Sequence, residues 1–211
     1  DDIATLHYRT HGGQISPVII RTRGHRLEGI WHSGSPMGMI IHGTRGVNIC
    51  VPRNMTKAAG FYNTLMASNE PAMVVECLNS YRVKEKLPTN MGEFRTPLGI
   101  PETTKEGSDI TIVTYGSTWR IVTEAANQLD EFGISAEVID IQTLVPLDIN
   151  KTMIDSLKKT NRLLVVDEDV PGGASAYILQ NIIEDQKGFF HLDSEPQTLA
   201  AKAHRCAYGK D

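Results

Sequence analysis

The chain is poor in cysteine. Only Cys50, Cys77 and Cys206 occur in 211 residues, far apart and never as a CxxC pair. That excludes a disulfide-stapled scaffold and leaves zinc without a sequence motif. The three read as reduced, structural thiols of an intracellular protein. No apolar run nears the ~20 residues that span a bilayer. No long basic run occurs and the net charge is −4. Membrane and nucleic acid are therefore not expected partners. The GxSxG elbow, the HExxH metal motif, the dinucleotide fingerprint and the P-loop are absent too.

What is present is an ordinary globular composition, 40% hydrophobic and 22% charged. Such a balance excludes disorder and fibrous repeats. A chain of this length buries roughly 70% of its unfolded surface, enough for one large domain or two small ones. The opening "DDIATLHYRT" carries no Met and no signal pattern, and Ile3 and Leu6 lie at helical spacing. It reads as the end of a helix already in progress. The other end, "HRCAYGKD", stops just after an apparent strand. Both ends suggest a piece of a longer polypeptide.

Strand and helix patterns alternate along the chain. "SPVIIRT", Ser16 to Thr22, predicts a buried parallel strand. Met37 to His42 predicts a short helix ending at Gly43. "GVNICVP", Gly46 to Pro52, predicts a strand. Asn54 caps a predicted helix from Met55 to Ala67, with Met55, Ala58, Ala59, Tyr62, Leu65 and Met66 on one face. Pro71 to Cys77 is a third strand. From Leu78 to Gly107 the pattern breaks into proline, glycine and charge, which reads as a connection between domains.

A second α/β unit follows. Ser108 to Gly116 is a strand. Ser117 or Thr118 starts a helix with Ile121, Val122, Ala125 and Leu129 inward, closed by Gly133. "SAEVIDIQT" is one strand, Asp148 to Lys159 a helix, and Asn161 to Asp169 a strand. "PGGASAYILQNIIED" is a helix and "TLAAKAHR" a last strand. The fold class is α/β, with parallel sheets flanked by helices on both faces.

Ligands of open α/β sheets sit beyond the carboxyl ends of the strands. The loop 23–35, with "EGIWHSGSP", follows the first strand and carries His32 to such an end. His32 is a candidate catalytic group, against the plainer reading of a polar loop residue. The "YGST" turn at Tyr115 to Thr118 reads as a capped turn rather than a phosphate loop. The acids of "DEDVPGG", Asp167 to Gly173, read as solvated caps of the next helix rather than a metal site. From these residues alone no reaction follows.

The ordered run "VIIRT … WHSGSP … GVNICVPRN … KAAGFYNTLMASNEPAMVVE … YR" resembles the beta subunit of the decarboxylating component of 2-oxo acid dehydrogenases, which belong to the transketolase-like family. "EGSDITIVTYGST … GISAEVIDIQTLVPLD … TNRLLVVDEDVPGGASAYI" looks like the C-terminal domain of those subunits, and "EVIDIQTLVPLD" is its most specific part. The resemblance implies that residues 1–80 are the C-terminal part of a pyrimidine-binding domain and residues 81–107 the connection. Residues 108–211 would be a transketolase C-terminal domain truncated at its end. The sheets are then parallel or mixed.

The same resemblance implies thiamine diphosphate and magnesium, bound mainly by parts outside this chain. The activating glutamate lies upstream of residue 1. His32 matches the family's substrate-side histidine, and its ordinary pKa near ~6.5 suits proton exchange. Gly34 stands where the family usually has Gln, and Arg23, Arg26, Leu27 and Glu28 replace parts of a glycine-rich loop. Potassium is implied on backbone carbonyls of the turn holding Leu65, Ser68 and Glu70, against the plainer reading of a helix end meeting water.

Ser35-Pro36 and Tyr81-Arg82 lean toward the branched-chain enzymes. The implied reaction is oxidative decarboxylation of 2-oxoisovalerate with acyl transfer to a lipoyl carrier, the fragment alone being inactive. Pyruvate or acetoin dehydrogenase, and a non-catalytic assembly module, are the alternatives. Implied partners are an alpha subunit or the alpha part of one chain, a lipoyl acyltransferase core and a small 2-oxo acid. A dimer or heterotetramer is implied, in the cytoplasm of a bacterium or the mitochondrial matrix of a eukaryote.

Overall fold

The computed structural model describes residues 2–24 and 35–202. The expected opening helix is there as α1, Asp2–Arg9. The first sheet has the order β1-β3-β2-β7. Its parallel strands are β1 (Ile19–Gly24), β2 (Asn48–Cys50) and β3 (Ala72–Cys77). β1 lies at the sheet edge and is only partly buried, which corrects the reading of a buried strand. It pairs with β3 alone, so its outer side has no sheet neighbour among the described residues.

Two helices return the chain between these strands: α2 (Met37–Gly43) and α3 (Met55–Met66). Asn54 caps α3 as expected, its side chain accepting from the Lys57 amide. The buried stripe of α3 is Ala58, Phe61 and Leu65, the last two packed on Cys50, Ala72 and Val74. Met66, assigned to that face from the sequence, is 69% exposed because the stripe has rotated past it by the helix end. Burial pushes the Cys50 thiol up to about 12, so this cysteine is structural, as expected.

The second sheet has the order β4-β6-β5-β8-β9. β4 (Glu102–Lys105) pairs antiparallel with β6 (Ala136–Asp140). This strand falls inside the stretch read as connection, since "ETTK" has no apolar pattern to announce it. β5 (Ile110–Thr114), β6, β8 (Leu163–Val166) and β9 (Gln197–Leu199) run parallel. Both sheets are flanked by helices, but each contains one antiparallel pair, so the sheets are mixed.

The "SAEVIDIQT" strand is two strands. The chain turns after β6, where Gln142 has a φ of 55°, and β7 (Thr143–Val145) crosses to pair antiparallel with β2. α4 (Thr118–Glu131) buries Thr118, Val122 and Ala126. Ile121, placed inward by the sequence, is 60% exposed, and Ala125 is exposed as well. The apolar i, i+4, i+8 row is one position over from the predicted one. The helix predicted from Asp148 begins later, as α5 (Met153–Thr160). Asp148 takes a cap's place before it, accepting from the Thr152 and Met153 amides at 2.8 and 2.9 Å. α6 (Ala174–Gln180) runs into a π turn, Asn181–Asp185.

One core joins the halves. Ile49 and Val75 of the first sheet share it with Val113, Ile139 and Val165 of the second. The opposite face of the second sheet packs Ile112, Ala136 and Val138 under Val122 and Ala126. Neighbouring residues thus face opposite layers, the period-2 signature of a strand buried on both sides.

Candidate functional site

The register places Gly24 level with Cys77 at the carboxyl end of the first sheet, while β2 ends three residues earlier, with Cys50 opposite Val74. His32 and its loop residues 25–34 lie outside the described residues. Their flanks meet at this rim: a Cβ on Gly24 would lie 3.6 Å from Pro36 Cδ and 2.8 Å from Val75 Cγ1. The chain therefore leaves β1 and enters α2 at nearly one point. The Gly38 amide then donates to Asp169 Oδ2 at 2.8 Å, tying the start of α2 to the second half.

That contact corrects the reading of solvated acids. Asp167 and Asp169 are buried, at 3% and 7% exposure. Tyr115 Oη donates to Asp167 Oδ1 at 2.5 Å, and the Ser175 amide donates to Asp167 Oδ2 at 2.8 Å. Burial, then the neighbouring acids, hold the Tyr115 phenol well above its ordinary range, so it stays a donor. Gly173 admits the packing, because a Cβ there would lie 2.4 Å from Asp169 Oδ2.

Two polar assemblies that the sequence reading missed complete the rim. In the first, the Glu76 carboxylate at the end of β3 accepts from Arg21 Nε at 2.8 Å and Tyr62 Oη at 2.6 Å, and also from Tyr81 Oη. Burial pushes its pKa up, but those donors outweigh it and hold the carboxyl below its ordinary value. In the second, Arg53 follows β2. Its Nη1 reaches Asp140 Oδ2 at 2.7 Å, and its Nη2 reaches Glu102 Oε1 at 3.0 Å. The guanidinium lies 4.9 Å from the centroid of Trp119. Asp140 is fully buried, and burial, only partly offset by Arg53, pushes its pKa up to about 6. The "PRN" after a strand was the only signal of Arg53; its partners lie 49 and 87 residues away.

The expected potassium turn sits at the other end. α3 ends at Met66, and Leu65 O already accepts the Ser68 amide at 2.9 Å. Ser68 Oγ accepts the Glu70 amide, and Glu70 Oε2 accepts from Asn48 Nδ2. Leu65, Ser68 and Glu70 thus lie together at the amino ends of β2 and β3, a strand length from the rim. A cavity of about 500 Å³ opens beside them, lined in part by Ile3, His7, Tyr8, Asn48, Glu70 and Pro146.

Residues 100–208 match the family model "Transketolase, C-terminal domain". The chain belongs to this family. The transketolase C-terminal match takes in β4, so the second sheet is the family's domain. Among curated proteins, the chain is 34% identical over 205 residues to the Bacillus subtilis "Pyruvate dehydrogenase E1 component subunit beta", covering 94% of the chain and 61% of that protein. It is 34% identical over 174 residues to the Chaetomium thermophilum "2-oxoisovalerate dehydrogenase subunit beta, mitochondrial", covering 81% of the chain and 36% of that protein. The Acholeplasma laidlawii "Pyruvate dehydrogenase E1 component subunit beta" is 29% identical, covering 92% of the chain and 58% of that protein. The chain therefore spans about three fifths or less of these relatives. The resemblance to 2-oxo acid dehydrogenase beta subunits, read from the motifs, is borne out by them. Among solved structures, a "Split gene transketolase, inactive beta4 tetramer" has a TM-score of 0.71 at 20% identity, covering 89% of this chain and 58% of that one. That likeness bears out the fold.

Proposed function

We propose that this chain is the beta part of a thiamine diphosphate-dependent dehydrogenase for branched-chain 2-oxo acids, with 2-oxoisovalerate as substrate. The observation that carries this reading is continuity. Similarity to beta subunits runs through both sheets, and the flanks of the His32 segment converge at the carboxyl rim of the first. His32 would exchange a proton with the 2-oxo acid or the intermediate derived from it. Thiamine diphosphate, when bound, supplies the electron sink for decarboxylation. Among the described residues no group of three His, Cys, Asp or Glu side chains gathers for a metal. The proposal assigns the magnesium and the diphosphate to an alpha partner or to other parts of the same protein.

Arg53 and Glu76 would hold the rim in shape rather than touch substrate. An alpha subunit, or alpha part, and a lipoyl acyltransferase core are the partners in this proposal. Potassium on the 65–70 turn belongs to it too, and would need carbonyls beyond that of Leu65. A second reading, a pyruvate or acetoin enzyme, rests on relatives of equal similarity, such as the Bacillus subtilis acetoin oxidoreductase subunit at 33%. The test is turnover by the full-length protein with its partner, on 2-oxoisovalerate, pyruvate and acetoin, with an artificial electron acceptor. The proposal expects the highest kcat/KM on 2-oxoisovalerate. A higher value on pyruvate or acetoin establishes the second reading.

A further inference from the structure

A second cleft, of about 280 Å³, opens where β2, β3 and β5 end, between the two sheets. Arg53, Ser117, Trp119, Arg120, Ile121 and Val83 are among its lining residues. Two helix starts reach it, and they differ. At α3 the amides are already met: Glu85 accepts from Met55 N and Thr56 N, and Asn54 from Lys57 N. At α4 the cap residue Ser117 makes no side-chain cap bond.

The stronger observation is independent of the helices. Arg53 Nε and Ser117 Oγ are buried and have no hydrogen-bond partner among the described residues. The Arg53 side chain is nine-tenths buried. Native proteins rarely leave such groups unmet, because a buried donor without a partner keeps its full desolvation cost. Arg120 adds an exposed cation on the solvent side that makes no ion pair among the described residues. The Glu85 carboxylate on the opposite wall is engaged by Met55 N, Thr56 N and Thr56 Oγ1. Apolar surface completes the cleft: Ile121 is 60% exposed and Val83 42%, beside Trp119.

We propose that this cleft binds a small organic acid, its carboxylate between Arg120, Ser117 and the start of α4 and its short apolar body against Trp119, Ile121 and Val83. The ligand would enter by a small shift of the Arg53 and Ser117 side chains, which would gain the partner they lack. The described residues that line the cleft, Arg53 to Ile121, are not ones the proposed reaction uses, so the inference stands apart from it.

The test is equilibrium dialysis of the full-length protein with labelled isovalerate, alongside acetate and inorganic phosphate. The variants are Arg120→Ala, on the exposed side, and Ser117→Ala, which removes one hydroxyl. Wild type should bind one more equivalent of isovalerate per chain than Arg120→Ala resolves. That site should weaken about tenfold in Arg120→Ala and several-fold in Ser117→Ala. Acetate should bind it about tenfold more weakly than isovalerate, for lack of apolar area. Any of three results overturns the proposal: no isovalerate bound at 10 mM (~10 mM being a weak-site ceiling), equal binding of acetate or phosphate, or binding untouched by both variants. The second of these would mean an adventitious ion only.

Discussion

The two sheets of this molecule divide the work unequally. In the second, β5 and β6 are buried nearly throughout, and Asp140 at the end of β6 spends its charge on Arg53. In the first, β1 is an edge strand with alternate residues exposed, and its carboxyl rim carries the charged assemblies around Glu76 and Arg53. The better packed sheet is the one that matches the family model. The more open sheet is where the candidate chemistry gathers. The lesson is positional: the second sheet supplies a rigid wall, and Arg53 fastens the rim of the first sheet to it.

Breaking that fastening gives the largest expected effect on stability. Arg53→Ala leaves Asp140 buried without its cation and should cost about 3–5 kcal/mol in urea unfolding. Arg53→Lys should recover only part, because a lysine cannot span two carboxylates as a fork. Loss of less than 1 kcal/mol (~1 being a surface-pair value) would show that the sheets hold together without it.

Next comes a steric test of the second sheet. A Cβ on Gly107 would lie 2.2 Å from the backbone of Ala136 and Glu137, at the start of β6. Gly107→Ala should cost about 3 kcal/mol, read from the same urea titration. By contrast Gly43 meets nothing within 4 Å, and Gly43→Ala should be nearly neutral. Equal effects would mean that the sheet start yields readily.

The pH dependence separates Asp140 from the paired glutamates. Asp140 has a folded pKa raised to about 6, above its unfolded value, so it binds its proton more tightly when folded. Its contribution therefore favours folding more as pH falls from about 7 toward about 4, by about 2–3 kcal/mol at most. Glu76, Glu102 and Glu137 are held below their ordinary values and act oppositely. Their stabilisation is present above the unfolded carboxyl pKa and is lost as pH falls through their folded values. Stability should rise from pH 7.5 to about 5.5 and fall below about 4. Asp140→Asn should abolish the rise alone. A monotonic loss on acidification in the wild type would contradict the raised Asp140. The smallest effect is local: Asn54→Ala removes the α3 cap and should cost about 1 kcal/mol.

Much of this fold was legible because strand and helix periods are strong locally. β2, α2, α3, β3, β5 and β8 fall within the predicted stretches, and the Asn54 cap is where the sequence put it. What escaped was non-local. The crossing of β7 to β2 depends on a left-handed turn at Gln142, a residue type that does not announce it. β4 is polar and short, so only its pairing with β6 defines it. Asp167 and Asp169 look like surface acids until Tyr115, Ser175 and Gly38 are brought around them. The candidate site shows the same split. The position of the His32 loop after a strand was readable, whereas Arg53 and Glu76 became visible only with their distant partners.

Catalysis through His32 is the core of the proposed function, so the decisive measurement is the rate of 2-oxoisovalerate decarboxylation by the full-length protein with its proposed alpha partner, wild type against His32→Ala. General acid–base help predicts a loss of about a hundredfold or more in kcat, roughly 3 kcal/mol or more, with the urea midpoint unchanged. Turnover that survives the substitution would remove His32 from the mechanism and contradict its proposed proton-transfer role.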